Sequence, residues 1–370
     1  MTPGARVQAA IEILDAVIAA AREAGPPADR IVADYFRARR YAGSKDRRAV
    51  RELVFDVIRK IGKRPDEGGR AALLGGRPDL AEMFGGDGYA PTALVEGEPR
   101  AEPALAPPWL AKKLGKRLHP AMLERAPIDL RINRLRVEPD TVPHLGSPIE
   151  GLENGLRGAP SDIADRPEFR DGWVEVQDAG SQRIVQIAAA SPGQTVLDLC
   201  AGAGGKALGL ASDMRDSGRL IAADTDRRRL GELPPRAARA GASIIETRLL
   251  NPGQEAEALE DLRGACDLVL VDAPCSGTGT WRRNPEARWR ITPQRLRKLT
   301  ALQAELIALG SDFVAPGGAL VYAVCSLLPD EGDAIANGFS HPAFVEKERT
   351  LLSPQQDGTD GFFIVRFERV

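Results

Sequence analysis

The chain has 370 residues, 43% hydrophobic and 28% charged, with a formal net charge of -2 at pH 7. That composition excludes a disordered chain, and with no signal core and no apolar run of roughly 18 residues, a soluble, cytoplasmic protein free of membrane contact is the expectation. The near-neutral charge does not announce a nucleic-acid binder. Four cysteines (Cys200, Cys266, Cys275, Cys325) make no disulfide framework, and with no CxxC pair and three histidines no metal site is expected.

Residues 5–24 place Val7, Ile11, Leu14, Val17 and Ile18 at helical spacing and end at Gly25-Pro26-Pro27. Two further helical patterns run over 29–41 and 45–61, the second with Ser44 as a candidate cap. Residues 1–65 are therefore expected to form an all-helical domain with a basic face, which either binds RNA or only packs on the rest of the chain. Residues 66–108 turn rich in Gly, Pro and Ala and read as a linker, with short helical hints at 70–74 and 78–84. A helix over 109–123 and a half-exposed strand over 128–137, carrying Arg131, Asn133 and Arg136 outward on mixed sides, make 109–170 a small α+β unit.

From 171 to 370 the pattern changes. A short strand and a polar turn precede a helix over 183–190, and then strands expected at 195–200, 220–223, 243–247, 267–271 and 319–324 alternate with helices at 206–212, 227–240 (interrupted at Pro234-Pro235) and 293–313. This alternation predicts an α/β fold with a doubly wound, mostly parallel sheet, in which ligands bind outside the carboxyl ends of the strands.

Two apolar runs, Leu268–Val271 before Asp272 and Ala319–Val324, stop close to Cys275 and Cys325. If their strands are parallel neighbours, both thiols emerge on one edge. A single cysteine there is more often a small buried hydrophobe; a matched pair points to nucleophiles. At the first strand end, Asp198 precedes a turn with Gly202, Gly204 and Gly205 and a helix opening at Lys206. The turn lacks the GxGxxG spacing, and Ala207 replaces the hydroxyl residue of a phosphate loop. Asp224 ends the second strand, where an acid reaches ribose hydroxyls. Nucleoside binding without phosphates fits, and S-adenosylmethionine is the expected cofactor. The arginines after Cys275 (Arg282, Arg283, Arg288, Arg290) form a local basic stretch able to hold phosphates, or a solvated helix face.

Gln177-Asp178 with Ser181-Gln182, Asp198 through Lys206, Asp224, Asp272-Ala273-Pro274-Cys275-Ser276-Gly277, Arg282-Arg283-Asn284-Pro285, Arg288-Trp289, and Tyr322-Ala323-Val324-Cys325-Ser326 with Glu331 together resemble the RsmB/NOP/Sun family of RNA cytosine-5 methyltransferases. The resemblance spans roughly residues 105–370 and includes Asp360-Gly361-Phe362-Phe363, and residues 1–65 resemble the NusB-like domain of the bacterial members. Where the family has Ala, Pro and Thr in its first motif, this chain has Gly202, Ala203 and Ala207; Val324 precedes Cys325, and Gly332 follows Glu331. Neither departure removes a reacting group.

The resemblance implies a Rossmann-like S-adenosylmethionine-dependent methyltransferase core over 171–370. It implies Cys325 as the nucleophile that adds to carbon 6 of cytosine, Cys275 in product release, Asp272 on the pyrimidine edge and Lys206 steadying cofactor or base. Cys200, Ala201, Gly202, Ala203, Gly204, Gly205, Lys206, Asp224 and Asp272 are then expected to line the cofactor, with Asn251 on the adenine side. The implied partner is RNA and the product 5-methylcytosine in ribosomal RNA. Transfer RNA is the alternative substrate, and a non-catalytic RNA-binding or ribosome-assembly factor the alternative function.

Overall fold

A computed structural model describes residues 1–23 and 25–370, which fall into two units, Met1–Arg125 with Thr280–Arg295, and Ala126–Gly279 with Leu296–Val370. In the first unit the helical periodicity is realised as α1 (Pro3–Arg22), α2 (Ala28–Arg37) and α3 (Ser44–Lys60), whose stripes meet in a core of Ile13, Leu14, Val17, Val50, Val54 and Ile58. Ser44 is the first helical residue rather than the cap; Gly43 holds that position and no side chain bonds there.

The stretch 66–108 is not a linker. It contains α4 (Gly69–Gly76), with Leu73 and Leu74 fully buried. Its glycines mark places where backbones touch. A Cβ at Gly75 would lie 1.9 Å from the Ala101 carbonyl, and the Ala101 N–H donates to the Ala71 carbonyl at 3.0 Å. Composition alone does not separate a flexible glycine from a closely packed one. The helix expected over 109–123 is shorter, α5 (Pro108–Leu114), because Gly115 turns at φ 52° and Pro120 starts a separate 3₁₀ turn.

The second unit opens with an antiparallel sheet of β1 (Asp129–Ile132), β2 (Ser147–Ile149), β3 (Leu152–Arg157) and β4 (Val174–Val176), in the order β2-β3-β1-β4. The expected half-exposed strand is a short, wholly buried one. Because β1 is central and covered, Arg131 and Asn133 do not face solvent. Arg131 donates to Gln177 Oε1 at 2.7 Å, and the Asn133 amide donates to the carbonyls of Gly172 and Ala240, each at 2.8 Å.

After α6 (Ala179–Ala188), which starts earlier than the pattern indicates and takes in Ser181 and Gln182, comes the large sheet. It comprises β5 (Thr195–Asp198), β6 (Arg219–Asp224), β7 (Ile245–Leu249), β8 (Cys266–Asp272), β9 (Val314–Val324), β10 (Phe344–Leu352) and β11 (Phe362–Arg369). The order is β10-β11-β9-β8-β5-β6-β7, with β5 to β9 parallel and β11 antiparallel to both its neighbours, β9 and β10. The parallel, doubly wound core is as expected, and β10 and β11 are additions.

The connecting helices are α7 (Gly205–Asp213), α8 (Arg227–Leu230), α9 (Leu233–Ala240), α10 (Pro293–Phe313) and α11 (Asp333–Gly338). The helix expected over 227–240 is interrupted, the break falling at Gly231–Glu232, so that Pro234 and Pro235 sit in the first turn of α9, where a missing N–H costs nothing. The inner strands β5, β6, β8 and β9 are buried on both faces along their apolar runs, while the edge strands β7 and β10 are mostly half-buried or exposed. Chain order reverses between β5 and β8, which locates the crevice at their carboxyl ends. Among the described residues, no helix is long and apolar enough to cross a membrane and no cluster of side chains is arranged to hold a metal ion.

Candidate active site

Five sequence-derived residues come together at this edge: Asp198 ends β5, Asp224 ends β6, Asp272 ends β8, Cys325 follows β9, and Lys206 lies in the first turn of α7. The turn between β5 and α7 is fixed by its backbone. Gly202 and Gly204 adopt φ of 55° and 79°, and a Cβ on Gly204 would fall 2.1 Å from Leu233. Asp224 holds this turn and its own: one oxygen accepts the Gly202 N–H at 2.7 Å, the other the Asp226 N–H at 2.7 Å. The helix cap here is Asp226, which accepts from the Arg229 N–H. Gln177, oriented by Arg131, donates to the Gly205 carbonyl at 3.1 Å, and Arg236 donates to the Ala203 carbonyl. Arg236 is a support that local sequence did not reveal, since its partner lies 33 residues away.

Electrostatics sets the character of the pocket. Lys206 donates to Asp272 at 2.5 Å. Burial works against its charge, but Asp272, Asp198 and Cys325 outweigh this and hold the ammonium above its ordinary value. Asp198 is 1% exposed, and burial pushes its carboxyl up to about 7 although Lys206 pulls the other way. Apart from a weak pull by the Cys200 amide, neither of its oxygens has a hydrogen-bond partner among the described residues. Asp272 and Asp198 thus flank the lysine, with Asp224 acting on Asp198 from the next strand end. Cys200, half-buried beside the same acids, has its thiol pushed well above the ordinary range, chiefly by burial. Asn251 is exposed two residues past β7, its amide on Gln254 at 3.3 Å.

The two expected thiols meet. β8 and β9 are adjacent and parallel, and the Cys275 and Cys325 sulfurs stand 3.3 Å apart, both reduced. The hydrogen bond to Cys325, and then burial, push the Cys275 thiol well above its ordinary value. Beneath them Glu331, 0% exposed, ties the two loops together. Its carboxylate accepts from the Ser276 N–H (2.8 Å), the Ser276 hydroxyl, the Ser326 hydroxyl (2.5 Å) and the Gln303 amide (3.1 Å). Sequence reading marked Glu331 only as part of a motif and gave it no role. The available signal was an acid five residues past a cysteine-serine pair.

The basic stretch after Cys275 is not a phosphate patch throughout. Arg288 is 0% exposed and donates to the carbonyls of Ile58, Arg59, Ile61 and Leu105, and Arg290 donates to those of Gly25 and Pro26. Both guanidinium groups are taken up by main-chain acceptors of their own unit.

A model of the family described as 16S rRNA methyltransferase RsmB/F matches residues 185–368. The chain is 38% identical over 242 residues to the "Probable ribosomal RNA small subunit methyltransferase B" of Synechocystis sp., covering 62% of this chain and 53% of that one. It is 30% identical over 299 residues to the ribosomal RNA small subunit methyltransferase B of Shigella flexneri, covering 74% of this chain and 68% of that one. It thus spans about half to two thirds of the length of these relatives. The solved structure of PH0851 superposes with a TM-score of 0.79 at 21% identity, over 100% of this chain and 99% of the other, which shows that the fold is shared. With strand-end cysteines, glycine turn and strand-end acids on one edge, and with these matches along its length, the chain belongs to the RsmB/NOP/Sun methyltransferase family.

Proposed function

We propose that this chain methylates carbon 5 of an unpaired cytosine in ribosomal RNA, using S-adenosylmethionine. The pair of sulfurs 3.3 Å apart beside the Lys206–Asp272 ion pair carries the reading.

The residues fit that cofactor. Asp198, Asp224 and Asp272 against a single lysine leave a surplus of negative charge, which suits a ligand bearing a sulfonium and an ammonium. The unpartnered oxygens of Asp198 await donors, and Asp224 keeps lone pairs for ribose hydroxyls beyond its two backbone bonds. When bound, the cofactor supplies an electrophilic methyl group on a cationic sulfur.

The chain's own groups supply the rest. Carbon 5 of cytosine is a weak nucleophile until a thiolate adds to carbon 6. The hydrogen bond between the two sulfurs and burial raise the Cys275 thiol, and Cys325 is assigned as the group to add. Asp272 is an acceptor suited to the exocyclic amine of cytosine, where uracil would present a carbonyl. After methyl transfer the Cys275 thiolate, its own proton having passed to solvent once Cys325 is bonded to the base, takes the proton from carbon 5, the bond between carbon 6 and the Cys325 sulfur breaks, and the ring regains its double bond. The base must leave its stack first, at a cost of a few kcal/mol unless it is already unpaired.

The test incubates Cys325→Ala and Cys275→Ala proteins with labelled cofactor and unmodified small-subunit RNA. The Cys325 variant is expected to lose methyl transfer by at least about a thousandfold. The Cys275 variant is expected to accumulate a protein–RNA adduct on denaturing gels. Full activity in the first overturns the nucleophile, and no adduct in the second overturns the release role.

A further inference from the structure

We infer that the helical unit carries its own binding site for an unpaired RNA nucleotide, built on Tyr35, Tyr41 and Tyr89. Three of the chain's four tyrosines line one cavity of about 670 Å³ on this unit. Tyr41 is 77% exposed and Tyr89 85%, and among the described residues no other tyrosine, phenylalanine or tryptophan is classed as exposed. The third, Tyr35, is fixed in place. Its hydroxyl donates to Glu12 at 2.8 Å, and the Arg39 guanidinium, also bonded to Glu12, lies 3.7 Å over its ring.

The charge carried next to Tyr41 along the chain selects the ligand. Most arginines of these helices are neutralised by neighbours, as Arg6 is by Asp46, Arg37 by Asp34 and Arg51 by Asp29. Arg40, Lys45 and Arg48, which flank Tyr41 along the connection into α3, are exposed and have no ion-pair or hydrogen-bond partner among the described residues. Exposed rings offer stacking faces to any base, and unpaired cations offer contacts to the phosphates on either side. Glu12 and Asp87 on the cavity wall add acceptors for an exocyclic amino group. An acidic peptide would use the cations but not the rings, and a double helix keeps its base faces stacked and out of reach. An unpaired nucleotide uses both sets of groups.

This site rests on the reading that the chain acts on RNA, and binding measured without methyl transfer separates the two. Affinity for a short fluorescein-labelled single-stranded RNA is followed by anisotropy, with the same strand annealed to its complement as the comparison. The Tyr41→Ala/Tyr89→Ala protein is expected to bind the single strand at least about tenfold more weakly, with its melting temperature unchanged, and the Phe/Phe protein to bind as the parent does. Removing Arg40, Lys45 and Arg48 together is expected to lower the salt slope of log affinity by about 2. Unaltered affinity in the double alanine protein overturns the proposal. So does failure of the phenylalanine pair to restore binding, equal preference for the duplex, or a parent protein that binds no RNA. If tyrosine-dependent binding is found but no methyl is transferred, the cytosine reading fails and this site stands.

Discussion

Asp198 illustrates at the scale of one residue how a ligand site is kept at a cost in stability. Its carboxyl titrates at about 7 in the fold against an ordinary 3.8, because burial opposes the charge. Between those two values the native chain binds more protons than the unfolded one, so stability falls as pH rises through the window and levels off above it. Asn at this position removes the charge. Without cofactor, Asp198→Asn is expected to match the parent near pH 4 and to exceed it by about 2 to 4 kcal/mol above pH 7. Thermal melts across that range check this, and a gap independent of pH would contradict the burial account. The same substitution is expected to weaken cofactor binding by roughly tenfold, since the surplus of negative charge is reduced. A site poised for a cationic ligand is destabilised until that ligand is present.

At the scale of elements, the reactive geometry is a property of two loops rather than of two cysteines. The loops after β8 and β9 are joined by Glu331, by the Leu327 N–H on the Thr278 hydroxyl at 2.9 Å, and by the Gly279 N–H on the Cys325 carbonyl at 3.1 Å. Gly279 is obligatory, because a Cβ there would stand 1.9 Å from the Gly361 carbonyl. Glu331→Ala leaves the buried Ser276 N–H without its acceptor and takes from the Ser276 and Ser326 hydroxyls the carboxylate they share, at about 1 to 3 kcal/mol for each group left unsatisfied. The expected outcome is a loss of at least about 3 kcal/mol in denaturant unfolding and a fall of roughly a hundredfold or more in single-turnover methyl transfer, with cofactor affinity unchanged. Glu331→Gln keeps one acceptor oxygen and is expected to recover much of both. An alanine variant that transfers methyl at the parental rate would show that the clamp does not position the sulfurs.

At the scale of the whole molecule, the chain leaves its catalytic unit after Gly279 and contributes Thr280–Arg295 to the helical one. Arg288 explains why that insertion is held. The last carbonyls of α3 have no partners within the helix, and the buried guanidinium donates to those of Ile58 and Arg59, with Ile61 just beyond. A cation at a helix carboxyl end is also favoured by the aligned peptide dipoles. Trp289, 2% exposed, packs into the same core and donates to the Ile61 carbonyl at 2.8 Å. Arg288→Leu is expected to destabilise the helical unit by about 3 kcal/mol or more, read from Trp289 fluorescence during denaturation. Arg288→Lys is expected to recover little, because an ammonium cannot span the same set of acceptors. No loss in the leucine variant would remove this role.

By itself the sequence determined what depends on neighbours along the chain. The helical stripes of α1 to α3, the alternation of strands and helices, the glycine turn before Lys206, and the acids and cysteines at strand ends follow from periodicity and turn chemistry over a few residues. Only the tertiary structure decided what depends on partners far away. It buried Arg131 on Gln177, 46 residues on, and turned Arg288 from an expected surface cation into a buried donor to a carbonyl 230 residues distant. It made a packed helix of a glycine-rich stretch, and it gave Glu331 two loops to join. A hydrogen bond between distant segments leaves no periodic trace in either of them, so its partner is defined only once the chain has folded.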